Sequence, residues 1–249
     1  MRRVCEHVIM CFIVGENTLE AQLTRLLTRH LTHKEEGKEE EEGPSFASSA
    51  FLKEYISFMT TPNSHRDTYA STCHRMFFAN YVKGKAPEDC ADNDGHNVDT
   101  IDALTLTVPI IIAYANSPPS LRHRKIEEVI RATRRTSPHL TQYAIAYSDL
   151  LLQVIGGKDL QEAVEQCASR FEGDDGLVSL SMKKKVENAA ARGWGDPMTA
   201  CYIDSSFPSL LFLAYKYAKQ SPEIGLLANA NAGKRRPLFL SLLRVLRMK

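Results

Sequence analysis

The chain has 249 residues, with 43% hydrophobic and 24% charged side chains. That is ordinary globular composition, long enough for a sizeable core or for two small ones. The formal net charge of +1 gives no general electrostatic case for nucleic acid or an anionic membrane as partner. Six cysteines, Cys5, Cys11, Cys73, Cys90, Cys167 and Cys201, contain no Cys-x-x-Cys pair and are too sparse for a disulfide framework. They read as mostly buried thiols in a reducing compartment.

The N-terminus, Met1-Arg2-Arg3 followed by the apolar run Val8 to Val14, has the outline of a signal peptide. No small-x-small cleavage pattern follows, Cys5-Glu6-His7 interrupts the approach, and a bilayer span takes about 20 apolar residues. The expectation is a cytoplasmic protein with no membrane partner.

From Leu19 onward the apolar positions Leu19, Leu23, Leu26, Leu27 and Leu31 form the stripe of a half-buried helix. Asn17 is the expected N-cap, with Glu20 at the third helical position, where its carboxylate can reach back. Residues 34–43, KEEGKEEEEG, repel one another and bury nothing, so they are expected to form a solvated acidic loop. A second helix is expected from about Ala50 to Met59, closed by Thr61-Pro62. A third is expected from about Asp67 to Val82, capped by Gly84.

A polar loop, Lys85 to Asn97, leads into the apolar segment Ile101 to Ala115, where Pro109 is expected to kink a helix. Further helices are expected at about 121–136, 141–155 (stopped by Gly156-Gly157), 160–171 (capped by Asp159), 182–192 and 209–219. A last one starts at Ser221-Pro222-Glu223. Such a succession with short loops specifies an all-α globule.

Several motifs fail. Asp92-Asn93-Asp94-Gly95 opens like a calcium loop, but the sixth position is Asn97 and the twelfth is Ala103, where glycine and glutamate are required. There is no Gly-x-Ser-x-Gly, no phosphate-loop lysine and no His-Glu-x-x-His.

Long strings are more telling than short motifs. The stretch from Pro62 to Asp102, with NSHRDTYASTCHRMFFANYVKGKAPEDCADNDGHNVDTID, resembles the ADP-ribosylglycohydrolase superfamily, and within it the jellyfish-type lens crystallins. So do GENTLEAQLTRLL from Gly15, MTACYIDSSFPSLLFLAYKYA from Met198 and LLANANAG from Leu226 to Gly233. The resemblance implies one all-α domain over residues 15–233 with a central cleft, an atypical segment 1–14 before it and a divergent tail 234–249 after it. It also implies Mg2+ as cofactor and hydrolysis of the glycosidic bond of ADP-ribosylated substrates, often modified proteins. Paired Mg2+ ions take carboxylate oxygens and activate water. In active members one acidic turn opens an early helix and a second opens a late one.

The early turn falls on Gly15-Glu16-Asn17-Thr18. Glu16 keeps a carboxylate and is the catalytic candidate. Asn17 removes one negative charge and Thr18 survives, so the expected metal residues Glu16, Asn17 and Thr18 form a degenerate site. The alternative reading of Asn17 is a helix cap and nothing more. After Gly233 the second ligand turn is replaced by Lys234-Arg235-Arg236-Pro237. The domain is thus expected to be incomplete at both ends, and unpartnered apolar faces to favour self-association.

Asp94, Gly95, His96 and Asn97 fall where relatives carry a nucleotide-contacting loop, although Asp99 stands at the arginine position. Ser205 and Ser206 resemble a cleft segment and are the substrate-side candidates, with capping of a helix near Ser209 as their plainer role. Three outcomes stay open: a hydrolase with residual activity, a non-catalytic crystallin-like or ADP-ribose-binding pseudoenzyme, and an incomplete product with no independent function.

Overall fold

The computed structural model describes residues 17–32, 45–67, 69–93, 98–135, 137–171, 181–197 and 201–232. Among them are ten α-helices: α1 Leu19–Thr32, α2 Ser48–Thr60, α3 Thr72–Val82, α4 Ala103–Ala113, α5 Pro119–Thr133, α6 Pro138–Ile155, α7 Leu160–Ala168, α8 Met182–Ala191, α9 Ile203–Tyr217 and α10 Pro222–Ala232. Short 3-10 turns occupy Pro87–Asp89 and Ser169–Phe171. The all-α expectation holds, and the only extended pairing among the described residues is one bridge, Thr100 to Tyr202. No helix of the described residues is long and apolar enough to cross a membrane. The expected acidic loop 34–43 and the tail 234–249 lie outside the described residues, as do Cys5 and Cys11.

The chain divides into two compact units. Among the described residues, the first comprises those up to Val98 together with Thr105–Ser137, and the second comprises Asp99–Leu104 and those from Pro138 onward.

In the first unit α2 packs against α1, α5 and the Pro87–Asp89 turn, and α3 packs against α5. The leucine stripe of α1 buries Leu19, Leu23 and Leu27 as its spacing predicts. In the same unit, Phe51, Tyr55, Phe77 and Phe78 make a run of ring contacts with centroids 5.1–6.3 Å apart. Gly84 closes α3 at φ +85°, a left-handed conformation that favours glycine. In the loop beyond it, Asn80 Nδ2 donates to the Cys90 carbonyl at 3.1 Å and to Asp92 Oδ2 at 2.9 Å. That bond, with one from the Asn93 N–H, holds the Asp92 carboxyl below the usual carboxylate range.

Two expectations about α1 and α3 need correction. Asn17 is not the cap. Thr18 precedes α1, and its Oγ1 accepts the Ala21 N–H at 3.3 Å. Glu20 therefore sits in the second helical position and does not reach back. Its Oε1 accepts from Ser71 Oγ at 3.1 Å and meets His74 Nε2 at 3.1 Å. Likewise α3 starts at Thr72 and not at Asp67, because Asp67 is engaged elsewhere: its Oδ2 accepts the Leu19 N–H of α1 at 2.9 Å.

His74 is 1% exposed and its Nδ1 lies 2.8 Å from the Tyr55 hydroxyl. Burial disfavours the charged imidazole, yet Cys73, Tyr55 and Glu20 together raise its pKa well above the usual 6.5. Burial also pushes the Tyr55 phenol far above its usual value.

In the second unit α9 is the central helix, touching α6, α7, α8 and α10. It buries Ile203, Phe207, Leu210, Leu211, Leu213 and Ala214. It starts six residues earlier than the expected Ser209, at Ile203, and carries Pro208 inside it. Pro208, the sixth residue of α9, has no N–H to give the Asp204 carbonyl one turn back, and the helix runs on past it to Tyr217. Gly157, at φ +96°, ends α6 where the Gly-Gly pair predicts. Asp159 caps α7 as expected, with Oδ1 accepting Gln161 N–H at 2.9 Å and Glu162 N–H at 3.2 Å. Glu165 of α7 then supplies both carboxylate oxygens to the start of α8, accepting Met182 N–H at 2.9 Å and Lys183 N–H at 2.8 Å.

This packing has measurable consequences. Because the folded His74 pKa is raised, its stabilising contribution is fully present below the unfolded value of 6.5 and falls as pH rises toward the folded value. The slope is at most about 1.4 kcal/mol per pH unit. Denaturant midpoints measured from pH 6 upward should show that fall, and His74→Gln should remove it. Glu165→Ala, which strips two amides of their acceptor, should lower stability by roughly 1–2 kcal/mol in the same assay. Among the described cysteines, Cys73, Cys90 and Cys167 are buried and Cys201 is exposed. Burial also pushes the Cys167 thiol up to about 12. Native-state alkylation followed by peptide mapping should therefore label Cys201 and spare the other three.

Candidate functional site

The candidate residues fall in both units, and each group is taken within its own. In the first unit the early turn does open a helix. Asn17 and Thr18 are exposed and lead directly into α1. The Asn17 carbonyl accepts from Gln22 Nε2 at 2.9 Å, and the Thr18 carbonyl accepts the Gln22 N–H at 3.0 Å. Glu16 lies outside the described residues, as do Asp94, Gly95, His96 and Asn97 and the Lys234 tail that follows Gly233.

The described part of the turn thus offers an amide side chain and a hydroxyl already accepting an N–H, with no carboxylate. A hard dication prefers carboxylate oxygens, so these two residues alone do not fit an Mg2+ pair. Among the described residues no three His, Cys, Asp or Glu side chains come close enough to hold a metal ion.

In the second unit the structure joins two segments that the sequence leaves apart. Asp99, which ends the expected nucleotide loop, accepts the Ile203 N–H at its carbonyl at 3.0 Å. Ile101 N–H donates to the Cys201 carbonyl at 3.0 Å, and the Thr100–Tyr202 bridge lies between them. The chain leaving that loop is therefore stitched to the start of α9, where Ser205 and Ser206 sit.

Those serines do not cap a helix near Ser209. Both lie in the first turn of α9, and their hydroxyls donate to the Tyr202 carbonyl, Ser206 at 2.5 Å and Ser205 at 3.3 Å. Ser206 is wholly buried and turned inward, whereas Ser205 is exposed. Of the two, Ser205 presents its hydroxyl to solvent.

Beside Ser205 is a pair that the sequence does not signal. His139, in the first turn of α6, hydrogen-bonds through Nε2 to Oδ1 of Asp204. The partners are 65 residues apart, and no spacing rule connects them. The His139 ring also stands edge-on to Tyr143 at 4.9 Å. Tyr143 stacks on Phe171 at 4.6 Å and 11°, and Phe207 closes the group at 5.1 Å from Tyr143. Burial, aided by the Asp204 carboxylate, pushes the Tyr143 phenol up to about 12, so it stays protonated at neutral pH. The first turns of α6 and α9 thus bring together an imidazole, from α6, and a carboxylate and a hydroxyl, from α9, at the rim of an aromatic cluster. Such a set can hydrogen-bond a polar ligand and move a proton.

The family model described as ADP-ribosylglycohydrolase matches residues 2–236. No curated protein and no solved structure gives a significant match. The family is all-α, as this chain is, and acts on ADP-ribosylated substrates. With a match over nearly the whole length of the sequence, the chain belongs to the ADP-ribosylglycohydrolase family.

Proposed function

We propose that the chain recognises ADP-ribosylated protein or free ADP-ribose, and that its early turn, Glu16-Asn17-Thr18, holds Mg2+ too weakly for efficient hydrolysis. The observation that carries this reading is the state of that turn. Asn17 stands where the family's resemblance calls for a second carboxylate, and Thr18 Oγ1 already accepts the Ala21 N–H at 3.3 Å. Both residues serve the start of α1, so the turn keeps its structural task while its negative charge is reduced.

Removing one of two carboxylates weakens the attraction for a dication directly, and adds no compensating donor. Recognition depends on other groups. Support for it comes from the exposed Ser205 hydroxyl and the His139–Asp204 pair at the start of α9, a segment joined by backbone bonds to Asp99. The string from Pro62 to Asp102 further supports a place near the jellyfish-type crystallin branch, where loss of catalysis is compatible with a structural role.

Calorimetry with ADP-ribose, and release of ADP-ribose from a modified protein at graded Mg2+, test the reading. Binding of ADP-ribose with slow release that needs high Mg2+ is expected. Asn17→Asp should raise Mg2+ affinity roughly tenfold, the factor that about 1.4 kcal/mol of added charge interaction supplies. Rapid release at low Mg2+ by the unaltered chain would show the site intact, and absence of any ADP-ribose binding would remove the recognition half.

A further inference from the structure

The early turn ends at Thr18 and α1 begins at the next residue, so whatever sets the first turn of α1 also sets the direction of Asn17 and Thr18. Three side chains from outside the helix grip that turn. Asp67 Oδ2 accepts the Leu19 N–H at 2.9 Å. Ser71 Oγ donates to Glu20 Oε1 at 3.1 Å, and His74 Nε2 meets the same oxygen at 3.1 Å. The other His74 nitrogen is 2.8 Å from the Tyr55 hydroxyl. Glu20, His74 and Tyr55 thus form one chain of hydrogen bonds from α1 through α3 to α2.

This arrangement is poorly suited to stabilisation as such. Tyr55 and His74 are 0% and 1% exposed, and desolvating an ion pair costs about as much as the pair returns. An apolar trio of equal volume would pack the same space. What the polar chain adds is direction: His74 has two nitrogens at fixed angles, and both are engaged. The second Glu20 oxygen, Oε2, is buried with no partner among the described residues. The carboxylate therefore depends on His74 and Ser71 for its orientation.

We propose that His74 is a positioning residue of the early turn: bridging Tyr55 and Glu20, it fixes the rotation of the first turn of α1 and so the placement of Asn17 and Thr18. The link to function rests on reading that turn as a ligand-facing one; the positioning itself does not.

Amide hydrogen exchange of the full chain separates the two. In His74→Ala the Leu19, Ala21 and Gln22 amides should exchange about tenfold faster, as loss of a hydrogen bond to a charged group implies. Ile126, Val129 and Ile130 of α5, in the same unit, should keep their protection. His74→Gln, whose amide can donate to Glu20 and accept from Tyr55, should restore slow exchange at α1. Tyr55→Phe removes a single oxygen, keeps the ring packing, and should loosen the same three amides; it decides the matter if His74→Ala does not fold. Unchanged protection at α1 in Tyr55→Phe, or equal loosening of α1 and α5, would overturn the proposal. Failure of the unaltered chain to bind ADP-ribose would remove the functional reading of the turn, and the exchange comparison alone would then decide the positioning role of His74.

Discussion

Every α-helix begins with N–H groups that no turn of its own can satisfy, and the organisation of this chain follows from how those groups are met. Three helices, α5, α6 and α10, begin with proline, which has no N–H to satisfy at that place. α7 uses the local Asp159. Others borrow a carboxylate from far along the sequence: Asp67 for α1, Glu128 for α2 through the Ser48 N–H at 2.9 Å, and Glu165 for α8. The separations are 48, 80 and 17 residues. A negative group at a helix start also meets the positive end of the helix dipole, so each such contact both satisfies a donor and ties two elements together.

These borrowed caps explain where the sequence is readable and where it is not. Helix existence is legible nearly throughout, because apolar period 3.6 and the Gly84, Gly157 and proline punctuation are local signals. Helix starts are less so. Asn17 is an excellent cap by residue type, but the chain places Thr18 next to the helix and leaves Asn17 one residue outside it. Asp67 reads as a helix opener for α3, and is instead drawn to α1. Glu20 reads as half of a capping box and is held by Ser71 and His74. For Asp67 and Glu20 the competing partners lie 48 to 54 residues away, beyond any window in which local capping rules operate.

The start of α9 shows the same limit in another form. Ser205-Ser206 before Phe207-Pro208 looks like the cap of a helix that begins near Ser209. The helix begins at Ile203, since Phe207 and Ile203 both have core to fill and one lost hydrogen bond at Pro208 is outweighed by burying them. That shift decides which hydroxyl is available: moving the start upstream turns Ser206 inward and leaves Ser205 outside. It also exposes Asp204 beside it, next to His139. The imidazole, carboxylate and hydroxyl at this place are a product of helix register, and no contiguous motif encodes them.

The early turn ties these points to chemistry. Its two described residues contribute to α1 through a threonine hydroxyl and two backbone carbonyls, and none of those contacts uses the Asn17 side chain. An exposed side chain outside the helix can exchange a carboxylate for an amide with little effect on packing. The packing of α1 therefore does not depend on which side chain stands at position 17. The converse dependence is strict: the direction of the turn relies on α1, and α1 on the buried imidazole and the Asp67 carboxylate that hold its first turn.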